Sequence, residues 1–330
     1  MTPKQPRAAR IIPGTFASVI RQFMAGPHFQ NKAPSTQKSW GRVLAYAERE
    51  SGLGGCSVQV IRPSLIQAFL DGLAEKPGKQ LNARTALKAV EKFAVVRDLV
   101  PYPFMTGTTC IGTDGGHEPW TFEHVAIAER HARADLARVV TLAVETGQRG
   151  SDIVRMGPTD VEEKEDPVTG ARRLGINVIQ KKTGIRLWVP ITLRLQEIMN
   201  GWERRPGPFV LKPDGKPYSR ELLSWHWNHE RDHNAELAPL KDAELVLHGL
   251  RATAVVRARL AGANHLEIAS TIGMSLPMVM RYSRFADQTQ MALAVVHKLD
   301  RSAGERRRCT SSTKMPASGM RGGSWERNRR

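Results

Sequence analysis

The sequence is poor in cysteine and has no long hydrophobic run, and each absence excludes a class of protein. Its three cysteines lie far apart, and none pairs with another in a C-x-x-C spacing. This pattern supports neither a disulfide framework nor a thiolate zinc site, and it fits a reducing compartment. No apolar run reaches the roughly 18 residues that a transmembrane helix needs. The first 14 residues carry positive charge without the apolar core of a secretory signal, so the sequence predicts a cytosolic protein.

Acidic residues are also scarce relative to basic ones. The chain of 330 residues has 32 aspartates and glutamates against 49 lysines and arginines, which gives a formal charge of +17. Such an excess favours a polyanionic partner, with nucleic acid first and an anionic membrane surface second. Hydrophobic residues make up 41% of the chain. Its length therefore predicts about two domains with ordinary cores rather than a disordered protein.

The first third of the chain predicts a small helical domain between two irregular segments. Residues 1–34 combine proline and glycine with five basic residues and no acid, which indicates a loose basic leader around one short apolar helix. Between residues 35 and 100, apolar residues recur with helical spacing in three segments. Residues 101–119 are rich in proline, glycine and threonine and have no periodicity, which predicts a linker between domains.

The remainder predicts a mixed domain over residues 120–300. Helical patterns from residue 121 and at Ala134–Thr146 precede three short β patterns, the last two joined by a tight KKTG turn. Helices return from residue 219, and residues 287–299 carry a last apolar stripe. Residues 301–330 hold nine basic and two acidic residues, which predicts a disordered basic tail. The predicted fold class is mainly α with a small antiparallel β-sheet.

Two short patterns match metal and nucleotide sites only in part. His229 and His233 match H-E-x-x-H, which on a helix presents two zinc ligands and a general base. The intervening Arg231 and Asp232 suit a solvated helix face, and the longer metzincin pattern is missing downstream. Residues 72–79 have the wrong spacing for a phosphate loop and lack a hydroxyl residue after the lysine. The sequence therefore predicts neither a zinc site nor a nucleotide site.

Four basic residues and one tyrosine in the second domain stand out as candidate site residues. His248 and Arg251 stand one helical turn apart, a spacing that places both on one helix face. Alone, H-x-x-R is more often a solvated or internally satisfied pair. Arg149 precedes them at a junction between two helices, and Lys182 lies at the tip of the predicted hairpin. Tyr282 follows 31 residues after Arg251.

The ordered set resembles the tyrosine recombinases, the phage-integrase family. The pieces that carry the resemblance are ETGQRGSDIV, IQKKTGIRLWVPI, LHGLRATAV and MVMRYSRF. The 133 residues from Arg149 to Tyr282 are also similar to the spacing in that family. The resemblance covers residues 120–300, which would form an α+β catalytic domain. Residues 35–100 are similar to the family's helical, SAM-like core-binding domain only in position and helical character.

The resemblance implies that the protein cuts and rejoins DNA by strand transfer. Such a catalyst must neutralise the negative charge of a phosphodiester, supply a nucleophile that attacks phosphorus and protonate the leaving oxygen. By the family's mechanism Arg149 and Arg251 clamp the non-bridging oxygens, while His248 donates to the same phosphate and helps to handle the tyrosine proton. Lys182 protonates the 5′ oxygen, and Tyr282 becomes a 3′-phosphotyrosyl ester. Because the ester keeps the bond energy, no metal, ATP or other cofactor is implied.

Three further positions follow from the resemblance. Asp152 matches an acidic position that supports the active site in this family. Met274, followed by Ser275, stands where relatives usually carry histidine or tryptophan, and a thioether cannot donate a hydrogen bond. Either Ser275 substitutes, or turnover is reduced, or the protein binds DNA without efficient cleavage.

The resemblance leaves the biological role open. It implies double-stranded DNA as the partner, a homo-tetramer on two DNA sites and a nucleoid-associated location. Accessory DNA-bending or directionality proteins are further partners that this family allows. The favoured interpretation is an integrase of a phage or another mobile element. The alternatives are an inert DNA-binding relative and a chromosome-dimer or plasmid resolvase. We expect the two domains to hold the duplex from opposite sides, mainly through phosphates, with binding that weakens steeply with salt.

Overall fold

The chain forms two compact units, Met1–Gly116 and His117–Arg330, each with its own hydrophobic core. A computed structural model describes residues 12–49, 51–112, 116–203, 205–286 and 292–301. Residues 1–11 of the predicted leader, the start of the helix predicted over 287–299 and the predicted tail from residue 302 lie outside these ranges. None of the helices in the described ranges is long and apolar enough to span a bilayer.

The first unit is built from helices. These are α1 (Phe16–Ala25), α2 (Pro27–Gln30), α3 (Pro34–Arg49), α4 (Pro63–Asp71) and α5 (Pro77–Val95). Helices α2 to α5 each begin with a proline, at the position where its missing N–H costs no intrahelical hydrogen bond. The Thr15 side chain caps α1 by accepting a hydrogen bond from the Ser18 backbone.

The core of the first unit corrects the predicted leader. Helix α1 inserts Phe16, Ile20 and Phe23 into this core, and at most 1% of each residue is exposed. Large apolar side chains gain most from complete burial, so α1 packs as an integral helix. The short apolar helix predicted within the leader is present as α1, but residues 16–30 belong to the helical domain and not to a loose leader.

The predicted linker also needs correction. Phe104 is fully buried in the same core, with its ring edge-on to that of Phe16 at a centroid distance of 5.4 Å. Thr108 is buried as well, and its carbonyl accepts hydrogen bonds from the Arg84 guanidinium. Much of the segment predicted as a linker over residues 101–119 thus packs against the first unit, and the boundary between the units falls after Gly116.

The second unit combines helices with a three-stranded sheet. Its helices are α6 (Phe122–His131), α7 (Ala134–Thr146), α8 (Gly150–Ile153), α9 (Leu193–Asn200), α10 (Arg220–His233), α11 (Ala238–Asp242), α12 (Gly249–Leu260), α13 (His265–Ile272) and α14 (Leu276–Ser283). Strands β1 (Val161–Glu165), β2 (Arg172–Ile179) and β3 (Arg186–Pro190) form an antiparallel sheet in the order β1-β2-β3. The predicted fold class, mainly α with a small antiparallel sheet, is confirmed.

Two glycines bring the ends of α7 and α13 together. Gly147 ends α7 with a φ of +63°, and a Cβ there would lie 2.9 Å from the Ile272 side chain. Gly273 ends α13 with a φ of +66°, and its Cβ would lie 2.5 Å from the Leu187 side chain. Both positions need the left-handed conformation and the close approach that glycine alone permits. The candidate site is built where these helix ends meet.

Candidate active site

Arg251 is the buried centre of the candidate site. It lies in the first turn of α12, and only 3% of the residue is exposed. Nη1 donates to the carbonyl of Gly147, and Nη2 donates to the carbonyl of Gly273 at 3.2 Å. Burial first and the charge of Arg149 second lower the pKa of Arg251 to about 10, so the group stays charged at neutral pH. The C-terminal ends of α7 and α13 therefore hold a buried cation.

A second guanidinium approaches from the junction between α7 and α8. Arg149 precedes α8 with an extended backbone, and its Nη1 donates to Gln180 Oε1 at 2.9 Å. Gln180 also packs against Gly273, whose carbonyl binds Arg251, so the two cations face one region. The charge of Arg149 lowers the pKa of Arg251. Neither guanidinium forms an ion pair with a carboxylate in the described part of the chain. An anion bound between them would offset their repulsion.

His248 precedes α12 and lies beside the same cations. Its ring is edge-on to that of His117, with centroids 5.2 Å apart. Loss of hydration, then the neighbouring His117, then Arg251 and Arg149 lower the pKa of His248 to about 4, although the residue as a whole is exposed. The imidazole is therefore neutral near pH 7, and a phosphate bound beside it would favour the protonated form.

Tyr282 reaches the site from α14 of the same chain. Only 3% of the residue is exposed, and it belongs to an apolar cluster that includes Val279 of α14 and Ala252 of α12, the residue after Arg251. The phenol raises the pKa of Arg251, which shows that the two side chains interact electrostatically. The structure thus brings Arg149, His248, Arg251 and Tyr282 together.

Lys182 has an exposed side chain. It lies in the turn between β2 and β3, as predicted. The turn is anchored on both sides of it. The Lys181 backbone N–H donates to Asp152 Oδ1 at 2.9 Å, and Thr183 Oγ1 donates to Gln180 Oε1 at 2.9 Å.

Asp152 is buried beneath the site with 1% of its surface exposed. Besides Lys181, its Oδ1 accepts from Arg155 Nη2 at 3.0 Å, while its Oδ2 has no hydrogen-bond partner among the described residues. Its negative charge raises the pKa of Arg251, against the effect of burial. The carboxylate therefore holds the lysine turn and contributes a negative charge to the surroundings of Arg251.

The turn between α13 and α14 contacts the site through its backbone. Gly273 accepts the hydrogen bond from Arg251, whereas the Met274 side chain is partly buried and packs against the apolar cluster that includes Tyr282. Ser275 precedes α14 and is exposed, and its hydroxyl makes no capping hydrogen bond. Neither side chain makes a polar contact with Arg251.

A buried carboxylate fastens the helices behind the site. Glu145 of α7 accepts hydrogen bonds from Thr192 and Arg194, both at 2.6 Å, and pairs with Arg257 of α12 at 2.5 Å. Burial by itself would raise the pKa of Glu145, but hydrogen bonds from Arg257, Thr192 and Arg194 hold it below its usual value. This network ties α7 to α12 and so supports the contact between Gly147 and Arg251.

The sequence patterns gave no prediction for two buried glutamines and one arginine. Gln148 and Gln180 are 2% and 0% exposed, and Gln180 Nε2 donates to Gln148 Oε1 at 2.8 Å. Gln180 continues the alternation of Ile176 and Val178, the inward residues of β2, and this alternation is visible in the sequence. A glutamine rarely occupies such an inward position. Arg220, at the start of α10, also lowers the pKa of His248.

The histidines of the H-E-x-x-H pattern lie on the surface of α10. His229 and His233 stack on one exposed face of α10 with ring centroids 4.3 Å apart. Across the described residues, no group of three or more histidines, cysteines, aspartates or glutamates could hold a metal ion.

Comparison with known proteins places the fold. No family model matches the sequence, and no curated protein matches it significantly. Among solved structures, a lambda integrase dimer bound to a COC′ core site matches with a TM-score of 0.65 and 18% identity, over 81% of this chain and 77% of that chain. The Tn1549 transposon integrase in complex with circular intermediate DNA matches with a TM-score of 0.61 and 15% identity, over 86% of this chain and 99% of that chain.

This chain has the integrase fold. A third structure, a lambda integrase tetramer bound to a Holliday junction, matches with a TM-score of 0.65 and 17% identity, over 79% of this chain and 77% of that chain. The tyrosine-recombinase fold predicted from the motifs is therefore confirmed. At this identity the match concerns the course of the backbone.

Proposed function

We propose that the protein is a tyrosine recombinase that cuts and rejoins DNA at specific sites through a 3′-phosphotyrosyl intermediate. The observation that carries the proposal is the convergence of two guanidiniums, a neutral imidazole and a buried phenol on the integrase fold, where no described carboxylate pairs with either guanidinium. Two cations held close together favour an anionic ligand. The excess of basic residues over the whole chain favours a polyanion.

In the proposed reaction Arg149 and Arg251 hold the two non-bridging oxygens of the scissile phosphate. The phenolic oxygen of Tyr282 attacks phosphorus, and its proton passes to His248, whose neutral ring can accept it. The bond from phosphorus to the 5′ oxygen breaks, and Lys182 protonates that oxygen. In the reverse direction, the 5′ hydroxyl of another strand attacks the phosphotyrosine and releases the phenol. Each bond broken is matched by one formed, so the cycle needs no energy source.

The exposed turn fits this role for Lys182. Its backbone is anchored through Asp152 and Gln180, while the ammonium group is in solvent before DNA binds. A long, flexible side chain on an anchored turn can reach a phosphate that enters between Arg149 and Arg251. We therefore propose that the general acid joins the site only in the DNA complex.

A suicide substrate tests the function directly. A nick beside the scissile phosphate releases a short fragment after cleavage, so the broken strand cannot be rejoined and the covalent complex accumulates. We expect a protein–DNA adduct that survives denaturing electrophoresis. DNA that is bound specifically but never forms an adduct would contradict the proposal and favour the inert DNA-binding relative.

Within this chemistry we favour integration of a phage or another mobile element over chromosome-dimer or plasmid resolution. The basic residues at both ends of the chain and the integrase neighbours support this choice. Direct repeats of an attachment site on both sides of the gene would agree with it. A single site beside a replication terminus or on a plasmid would favour a resolvase.

Met274 provides a test of the α13–α14 turn. We expect Met274→His to raise the single-turnover cleavage rate about tenfold, because it adds a hydrogen-bond donor next to Gly273, whose carbonyl binds Arg251. The gain is limited because Ser275 or a water can already fill part of this role. Met274→Ala is the control and should change the rate little. A histidine variant slower than the parent, together with an equally impaired alanine variant, would mean that Met274 acts only through its packing on the cluster that includes Tyr282.

Residues 292–301 form a further helix of the second unit, and its apolar face provides a test of assembly. Leu293 and Val296 are 53% and 49% exposed, whereas Lys298 Nζ donates to the Gly262 carbonyl at 2.9 Å. We propose that this apolar face binds a second copy in a tetramer on two DNA sites. Leu293→Glu combined with Val296→Glu should abolish the paired-site complexes of four protein chains and two DNA sites, whose mass light scattering measures. Cleavage of a single site should be preserved. A chain that ends at Arg301 keeps this helix, so it is the control and should still form paired-site complexes. Normal formation of these complexes by the double variant would contradict the proposal.

A further inference from the structure

We propose that Gln180 is a positioning residue that orients Arg149 and the Lys182 turn for binding of the scissile phosphate. The inference rests on the recombinase function proposed above. Gln180 follows β2 with 0% exposure and points to the same side as Ile176 and Val178. An amide buried in such a position costs free energy unless its polar atoms are hydrogen-bonded, so its contacts explain why it is tolerated there.

All hydrogen-bonding positions of the amide are used. Oε1 accepts from Arg149 Nη1 and from Thr183 Oγ1, both at 2.9 Å. Nε2 donates to Gln148 Oε1 at 2.8 Å and to the Ile272 carbonyl at 2.9 Å. The guanidinium can only donate and the carbonyl can only accept, so the amide has a single possible orientation.

These four bonds connect the segments that build the site. Arg149 lies at the junction of α7 and α8, Thr183 lies beside Lys182 in the turn after β2, and Ile272 is the last residue of α13. A Cβ on Gly273 would lie 2.7 Å from Gln180 Nε2, so the backbone that binds Arg251 packs directly on the amide. One side chain thus sets the relative positions of both guanidiniums and the lysine turn.

A neutral acceptor suits this position better than a carboxylate. A guanidinium has five N–H donors, and Gln180 engages Nη1 of Arg149 while leaving the charge of the group uncompensated for a phosphate. A glutamate would pair with Arg149 and weaken its attraction for an anion. Its second oxygen would face the Ile272 carbonyl, another acceptor. The amide therefore orients the arginine without neutralising it.

The test compares cleavage of two suicide substrates by the full-length protein. One carries a phosphodiester at the scissile position, and the other carries a methylphosphonate, which lacks the negative charge that the arginines bind. We expect Gln180→Met to lower single-turnover cleavage of the phosphodiester by about 10 to 10²-fold, since a misplacement near 1 Å has effects of this size. On the methylphosphonate the loss should be several-fold smaller, because only the part that acts through the Lys182 turn remains. DNA affinity should change little, because many other phosphate contacts remain.

A double-mutant cycle separates positioning from general destabilisation. Because Gln180 acts partly through Arg149, adding Gln180→Met to Arg149→Ala should lower cleavage by less than the same change lowers it in the parent. Gln80 is a matched control in the other unit, since it is 1% exposed and its amide bonds the backbones of Leu70 and Ile111. Gln80→Met should lower the melting temperature without changing the cleavage rate of the folded protein.

The possible outcomes distinguish the two proposals. Equal cleavage by the parent and by Gln180→Met would overturn the positioning role alone. Equal losses on both substrates, or fully additive effects with Arg149→Ala, would also overturn it and indicate a purely structural glutamine. If the parent forms no adduct on specifically bound phosphodiester substrate, the recombinase proposal fails, and the positioning role fails with it.

Discussion

We expect Tyr282→Phe to abolish strand cleavage and to leave DNA affinity nearly unchanged. The substitution removes only the phenolic oxygen, and the ring keeps its packing against α12 and within α14, where 3% of the residue is exposed. Without this oxygen no phosphotyrosyl ester can form. The measurement is the amount of covalent adduct on the suicide substrate, compared with binding in a mobility-shift assay.

Tyr218→Phe is the matched control in the same unit. Tyr218 is also buried, but its hydroxyl bonds with Asp135 and Arg133 instead of facing Arg251. This variant should lose some stability and still form the adduct. An adduct formed by Tyr282→Phe would place the nucleophile on another residue, which mass spectrometry of the DNA-linked peptide would identify.

The second large effect is expected for Arg251→Ala, which should lower single-turnover cleavage by about 10² or more, the usual scale for losing one donor to a developing oxyanion. The same change should lower the melting temperature, because the carbonyls of Gly147 and Gly273 lose their donors. An unsatisfied buried group costs ~1–3 kcal/mol. Arg149→Ala should lower cleavage to a similar extent with less loss of stability, because Arg149 is only partly buried.

Arg259→Ala on the same helix is the control for this experiment. The Arg259 guanidinium donates to the Ala263 carbonyl beyond the end of α12, whereas the carbonyls of Gly147 and Gly273 accept from Arg251. Its loss should destabilise the fold while leaving cleavage per folded molecule close to that of the parent. If Arg251→Ala cleaves at the parental rate, Arg251 does not hold the phosphate and the proposed clamp is wrong.

Local patterns in the sequence predicted the elements that carry the site. The bounds of α7 at Ala134–Thr146 match the prediction, and so does the stop at Gly147. The hairpin with Lys182 at its tip and the junction at Arg149 are also where the sequence predicts them. These features depend on apolar periodicity, a glycine at a helix end and a tight turn, all of which lie within a few residues of chain.

The wrong boundaries in the first unit have a different origin. Composition separated residues 1–34 and 101–119 from the helical domain, yet Phe16 from one segment packs edge-on against Phe104 from the other. This contact joins residues that are 88 positions apart. Proline, glycine and charge indicate where a chain lacks regular structure, but they do not indicate whether an apolar side chain nearby finds a partner across the fold.

The sequence by itself determined the fold class and the order of two arginines, a lysine, a histidine and a tyrosine along the chain. Only the tertiary structure decided that Arg251 is buried between the carbonyls of Gly147 and Gly273, that loss of hydration lowers the pKa of His248 and that Gln180 bonds to Arg149. The physical reason is distance along the chain. Burial and the approach of like charges arise between segments up to about a hundred residues apart, and local periodicity carries no information about such contacts.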